Sequence, residues 1–183
     1  MQRSRRTNLL VAGLFGFLSS TNLAWGRSMP SMRTLPETHP TFSYDISASS
    51  GTENSNTYSE LKLNLNWYLN DWLNWRNGIF SRFGSNIQAV NGLDSSLLAA
   101  FDTSTEGDQF GVQVFAGPGV RMASADNSAV TAEAGIIFKL GGISLGGGAK
   151  YLSYFSTRKD LLGIVLPKDE TQYFIVLSGS GSF

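Results

Sequence analysis

The sequence predicts an all-β fold, an eight-stranded antiparallel up-and-down transmembrane β-barrel preceded by a cleaved signal peptide. Three observations predict it. Apolar and polar side chains alternate from Phe42 to Phe183, a period of two that only an extended strand converts into two unlike faces. The alternation falls into eight segments separated by turn-forming residues. The N-terminus has the make-up of an export signal.

That signal is read over 1–26. Arg3, Arg5 and Arg6 give a positive start, residues 9–18 are an apolar run, and Ala24-Trp25-Gly26 offers small residues at the cut. The run is half the roughly 20 residues that a spanning helix needs, so no retained helical anchor is expected. The general secretory route is the expected one. Residues 27–41 hold Pro30, Pro36 and Pro40 without alternation and read as a periplasmic lead-in, since proline donates nothing to a sheet ladder. Residues 42–183 form the barrel.

Strands are expected at 42–50, 57–69, 72–83, 92–102, 109–122, 128–140, 143–155 and 170–183. The second is the clearest: Leu61, Leu63, Leu65, Trp67 and Leu69 alternate with Glu60, Lys62, Asn64, Asn66 and Tyr68. Links after even strands are short: Asn70-Asp71, a run ending in Glu106-Gly107-Asp108, and Gly141-Gly142. Links after odd strands are mostly longer: 51–56, 84–91 and 156–169, with 123–127 a short exception. With both termini periplasmic, the long links face the outside of the cell, the asymmetry of bacterial outer-membrane barrels.

Parity also sorts the side chains. Outward aromatics collect at two levels, Phe42, Tyr44, Trp67, Trp75, Phe101, Phe110, Phe138 and Phe183 at one end and Phe83, Tyr151 and Tyr173 at the other, as membrane interfaces require. The lumen is expected to be lined by Glu60, Lys62, Arg76, Arg82, Arg121, Glu133, Lys139 and Lys150, with Asp45, Asn64, Asn66, Asn74, Asp94 and Gln113 on the same face. Turning one lysine or arginine to mid-bilayer costs about 2–4 kcal/mol, so together they fix the register. Asn77 and Ser81 are the polar residues that the same parity sends to lipid.

Signal, alternating segments, short even links and a terminal Phe183 together resemble the small eight-stranded outer-membrane β-barrel proteins typified by OmpX, OmpW and the membrane domain of OmpA. The resemblance covers 42–183 in architecture. It implies outer-membrane lipids as surroundings and recognition of Phe183 by the outer-membrane assembly machinery. Small barrels that resemble lipid A deacylases, palmitoyltransferases, phospholipases or omptin proteases rely on a histidine near the rim. The chain's single histidine, His39, lies in the lead-in, and the expectation is that the protein is not an enzyme.

Composition agrees in what it excludes. Without cysteine there is no lipid anchor, disulfide or thiolate metal site, and neither cofactor nor metal is expected. Losing the signal removes three arginines and no acid from the balanced 14 and 14, leaving 11 against 14 and no basis for nucleic-acid binding. Inward glycines at 111, 117, 119, 135, 146 and 148 leave room on one wall. Arg76, Arg82, Phe80, Phe115 and Tyr68 are long enough to reach it, where Glu60 and Glu133 would pair with Arg76, Lys62 or Lys150.

Two readings of the lumen follow. Either it is a plugged polar core, with the work done by structural presence or extracellular-loop binding, or it is a narrow channel or OmpW-like passage for small or apolar solutes. Leu161, Leu162, Ile164, Val165 and Leu166 form an apolar cluster in the longest link, a candidate surface for an extracellular partner of unknown identity. A soluble lipocalin-like cup, the remaining rival, would require the apolar face to point inward.

Overall fold

A computed structural model describes residues 42–104 and 110–179. The signal and lead-in with His39, the Glu106-Gly107-Asp108 link and Phe183 lie outside them. Eight strands are present: β1 (Phe42–Glu53), β2 (Asn56–Asn70), β3 (Leu73–Gly84), β4 (Val90–Ser104), β5 (Phe110–Ala123), β6 (Ala129–Leu140), β7 (Ile143–Tyr154) and β8 (Asp169–Gly179). Each pairs antiparallel with the next, and β8 returns to β1, closing the sheet so that no edge is left.

Register and parity agree throughout. In β2 the residues from Leu61 to Leu69 that point out are 39–56% exposed, while Glu60, Lys62, Asn64 and Asn66 are at most 9% exposed. Each large apolar side chain left in water forgoes about 1.5–3 kcal/mol, and the belt includes Ile79, Leu93, Val114, Ile136, Leu145 and Ile175 as well. The surface is therefore a lipid surface, and the inward-facing lipocalin arrangement is not adopted. Trp67 and Trp75 pair across β2 and β3 with ring centroids 5.5 Å apart in the aromatic belt.

Two details differ from the sequence reading. The β1–β2 link is a tight turn rather than a six-residue loop, because Asn54 and Ser55 both take positive φ, 44° and 69°, and the strands run up to them. This two-residue turn matches strand twist. The β2–β3 turn lies one residue later, at Asp71-Trp72, following an irregularity between Tyr68 and Asn70. Among the links that odd strands leave, only that between β7 and β8, 155–168, is long within the described residues.

Asn77 does face the lipid side, and a cross-strand neighbour meets it. Ser95, its register partner on β4, donates to Asn77 Oδ1 at 2.8 Å and accepts the Trp75 indole N–H at 3.0 Å. The Asn77 oxygen is thereby satisfied where water is absent, while its Nδ2 is buried without a partner among the described residues.

Candidate functional site in the lumen and its mouth

Inward residues come from every strand and form three connected zones. Towards the end that carries the β2–β3 and β6–β7 turns, Asp45 accepts hydrogen bonds from Asn64 Nδ2 at 2.6 Å and Asn66 Nδ2 at 2.7 Å. Asn66 Oδ1 in turn accepts from Arg76 Nε at 2.9 Å and Asn74 Nδ2 at 3.0 Å. Facing this polar side is an apolar cluster of Leu98, Ala100, Phe115, Ile137 and Val176, joined by Phe174. The Arg76 guanidinium bridges the two, 4.9 Å from the Phe115 ring centre.

The middle zone is ionic and centred on Arg121, which is wholly buried and lies 3.9 Å over the Phe80 ring. It holds Asp94 through Nε at 2.8 Å and Nη2 at 2.9 Å, and Glu60 through Nη1 at 3.0 Å and Nη2 at 2.6 Å. Such planar two-carboxylate recognition is what a guanidinium does and an ammonium does not. Lys150 adds a 2.6 Å bond to Asp94, and Lys62 lies 3.5 Å from it. Glu133 stands 3.8 Å from Arg76 and 3.9 Å from Lys150.

Alternation alone pairs Glu60 with Arg76, Lys62 or Lys150; its ion-pair partners are instead Arg121 and, at 3.5 Å, Arg82. Parity tells which face a side chain is on and says nothing about which residue waits across the lumen. Lys139 sits apart from the network, paired with Asp102 beside the β6–β7 turn with about a third of its side chain exposed. The glycine wall is not empty either. A Cβ on Gly135 would lie 2.6 Å from the Phe115 ring and one on Gly148 2.7 Å from the Phe174 ring, so rings occupy that room. A void of about 10 Å³ remains, bordered by Glu60, Lys62, Arg76 and Glu133, the order of one water.

The third zone, at the mouth, is built mostly from residues that alternation does not mark. Glu53 accepts from Arg82 at 2.8 Å and from Arg158 at 2.9 Å, the latter reaching in from the β7–β8 link. Arg158 lies 3.5 Å over the Tyr154 ring, donates to Asn127 Oδ1 at 3.2 Å and to the Pro167 carbonyl at 3.1 Å, and is 3.4 Å from Glu170. Burial pulls its guanidinium below the ordinary arginine range, opposed by Tyr154 and Glu53. Tyr154 donates its hydroxyl to Glu170 at 2.7 Å, and Gln172 donates to Tyr58 at 2.7 Å. Arg158 and Glu53 sit in segments that looked like loop, and no local pattern marks them as inward.

Beyond Arg158 the link makes a small structured tip. Lys159 and Val165 form a bridge, and Asp160 Oδ1 accepts the amides of Leu162 at 2.9 Å and Ile164 at 2.8 Å. Asn54 on the β1–β2 turn donates to Asp160 Oδ2 at 2.8 Å. This places Leu161, Leu162, Ile164 and Val165 in the open, Leu162 at 84%. Leu166 does not belong with them. It is 6% exposed, and its amide donates to the Arg158 carbonyl at 3.0 Å, tucking it beneath the loop.

No family model and no curated protein matches the chain. Among solved structures it is similar to the outer membrane enzyme PagL, at 19% identity over 73% of this chain and 97% of that one, with a TM-score of 0.49. It is likewise similar to Neisserial surface protein A, at 11% identity over 78% of this chain and 96% of that one, with a TM-score of 0.51. The chain has the fold of the small outer-membrane β-barrels. The expectation that it is not an enzyme is corrected here, because one of these two barrels is an enzyme and the other a surface protein. One barrel architecture serves both, and the missing rim histidine on which the expectation rested does not decide between them.

Proposed function

We propose that the protein is an outer-membrane barrel whose lumen is closed by its own side chains, and that it acts through its long-loop end or through its structural presence in the membrane. Charge balance carries this reading. Six buried carboxylates, Asp45, Glu53, Glu60, Asp94, Glu133 and Glu170, meet six buried cations, Lys62, Arg76, Arg82, Arg121, Lys150 and Arg158. An internally paired lumen offers a passing ion of either sign no charge without a partner, and the apolar cluster beside it leaves little room for a hydrated solute.

On this reading the β7–β8 link faces out of the cell. Leu161, Leu162, Ile164 and Val165 form its contact surface for a partner or an amphiphile, since exposed apolar side chains held on an ordered turn cost little further entropy to bind. Export by the general secretory route and insertion through recognition of Phe183 belong to the same proposal.

The test is to refold the mature chain into planar bilayers at high salt. A heat-modifiable band on gels with no discrete current steps is the expected result. Reproducible single-channel steps would overturn the closed lumen and favour the narrow-channel or OmpW-like reading.

A further inference from the structure

Arg158 is an unusual member of the mouth because it is the one buried cation there carried by a loop rather than a strand. Its seat has the parts of a receptor for a planar cation. An aromatic face lies beneath the guanidinium at 3.5 Å, a Glu53 oxygen at 2.9 Å, an Asn127 amide oxygen at 3.2 Å, and Glu170 at the far side at 3.4 Å. Aromatic face plus carboxylate is the chemistry that selects guanidinium and ammonium groups.

Arg158 fills this seat incompletely. The Glu170 side chain is 8% exposed, yet its Oε1 accepts no hydrogen bond, and the Arg158 Nε donates none. A buried carboxylate oxygen without a donor is costly. Its Nη2 is committed to the Pro167 carbonyl of its own loop, and its Nη1 is shared among Glu53, Asn127 and Glu170. A cation free of the chain has no such constraint. With Arg158 withdrawn, Glu53 keeps Arg82 while Glu170 keeps no cation within ion-pair distance among the described residues, a vacancy that a monocation fills.

We propose that the Tyr154–Glu53–Glu170–Asn127 seat is a binding site for a small organic cation of the guanidinium class, which the β7–β8 loop holds shut with Arg158. It goes beyond the loop-tip reading above and does not depend on which side of the membrane the mouth faces. Because the loop competes, affinity in the native chain is reduced by the fraction of time the seat is vacant.

The experiment is calorimetric titration of the refolded mature barrel in detergent with methylguanidinium at constant ionic strength, using N-methylurea as the neutral isostere. Arg158→Ala is expected to bind methylguanidinium at least tenfold more tightly than the native chain. Adding Glu170→Gln to that variant is expected to reverse the gain, and N-methylurea is expected to give no heat. Equal affinity in native and R158A barrels, or equal binding of N-methylurea, would overturn the proposal. If R158A yields no heat-modifiable band, R158K replaces it: its lysine lacks the fork that bridges Asn127, Glu53 and Pro167, and it must still bind more tightly than the native chain or the proposal fails.

Discussion

Phe115 on β5 and Phe174 on β8 meet inside the barrel with ring centroids 6.3 Å apart, although two strands separate them. They do so over glycine. Phe115 is in register with Gly135, Gly135 with Gly148, and Gly148 with Phe174, one row across four strands. Rings on the outer members lie across the bare backbone of the inner two, which is why the row is filled rather than hollow.

Gly135→Ala is accordingly expected to destabilise the barrel by about 1–3 kcal/mol, since the new methyl enters the Phe115 ring position and rigid closure leaves the strand little to give. Phe115→Ala, which vacates the same place, is expected to cost about 3–5 kcal/mol. Urea unfolding of the refolded barrel in lipid vesicles measures both. A Gly135→Ala barrel as stable as the parent would mean that the ring has somewhere else to go.

Arg121→Met is expected to be more harmful than its size suggests, by about 3–5 kcal/mol, because Glu60 and Asp94 would lose their shared guanidinium while staying buried. Removing one charge of each sign, Arg121→Met with Glu60→Gln, is expected to recover most of the loss, because Asp94 keeps Lys150 and Lys62 and Arg82 keeps Glu53. The same unfolding assay decides it, and a double variant as unstable as the single one would show that packing rather than charge sets the effect.

The distribution of what could be read follows from the physics of a strand. Glu60 and Arg121 were both legible as inward because the run of alternate apolar residues beginning at Leu61, and Val120 and Met122 on either side of Arg121, fix their parity. Their salt bridge was not legible, since it joins positions 61 residues apart across a closed ring. Gly51 and Glu53 hid in a run of turn-forming residues, and only the positive φ of Asn54 and Ser55 shows that the strand continues up to them. Arg158 carries no periodic signal at all, as it enters the mouth from a loop. Asn77 looked like a fault in register; it is the acceptor for Ser95, a cross-strand relation that one strand's pattern cannot hold.

Replacing Leu161, Leu162, Ile164 and Val165 together by serine is expected to leave folding and heat-modifiability unchanged, because these side chains contact solvent rather than the barrel. Leu166→Ser is expected to behave oppositely and cost about 1.5–3 kcal/mol, for it is buried beside the Arg158 seat. Limited proteolysis of the loop in intact vesicles separates the two: the fourfold variant stays as resistant as the parent, and Leu166→Ser is cut faster. Removing residues 161–166 as a block would confound them.

The tip itself is expected to loosen in acid. The Asn54 amide donating to Asp160, together with the Ile164, Leu162 and Gly163 amides, holds its carboxyl below the usual aspartate range. A depressed folded-state value means that the carboxylate's contribution is complete above the unfolded value, near 4, and is lost as pH falls through the folded one. Amide exchange at Leu162 and Ile164 is therefore expected to be slow near neutrality and to accelerate, relative to the intrinsic rate, only below about pH 4. Asp160→Ala is expected to show the fast behaviour at every pH, while the ionic lumen and its heat-modifiable band stay intact. Protection at Leu162 and Ile164 that persists in D160A would assign the turn's order to the Lys159–Val165 bridge instead.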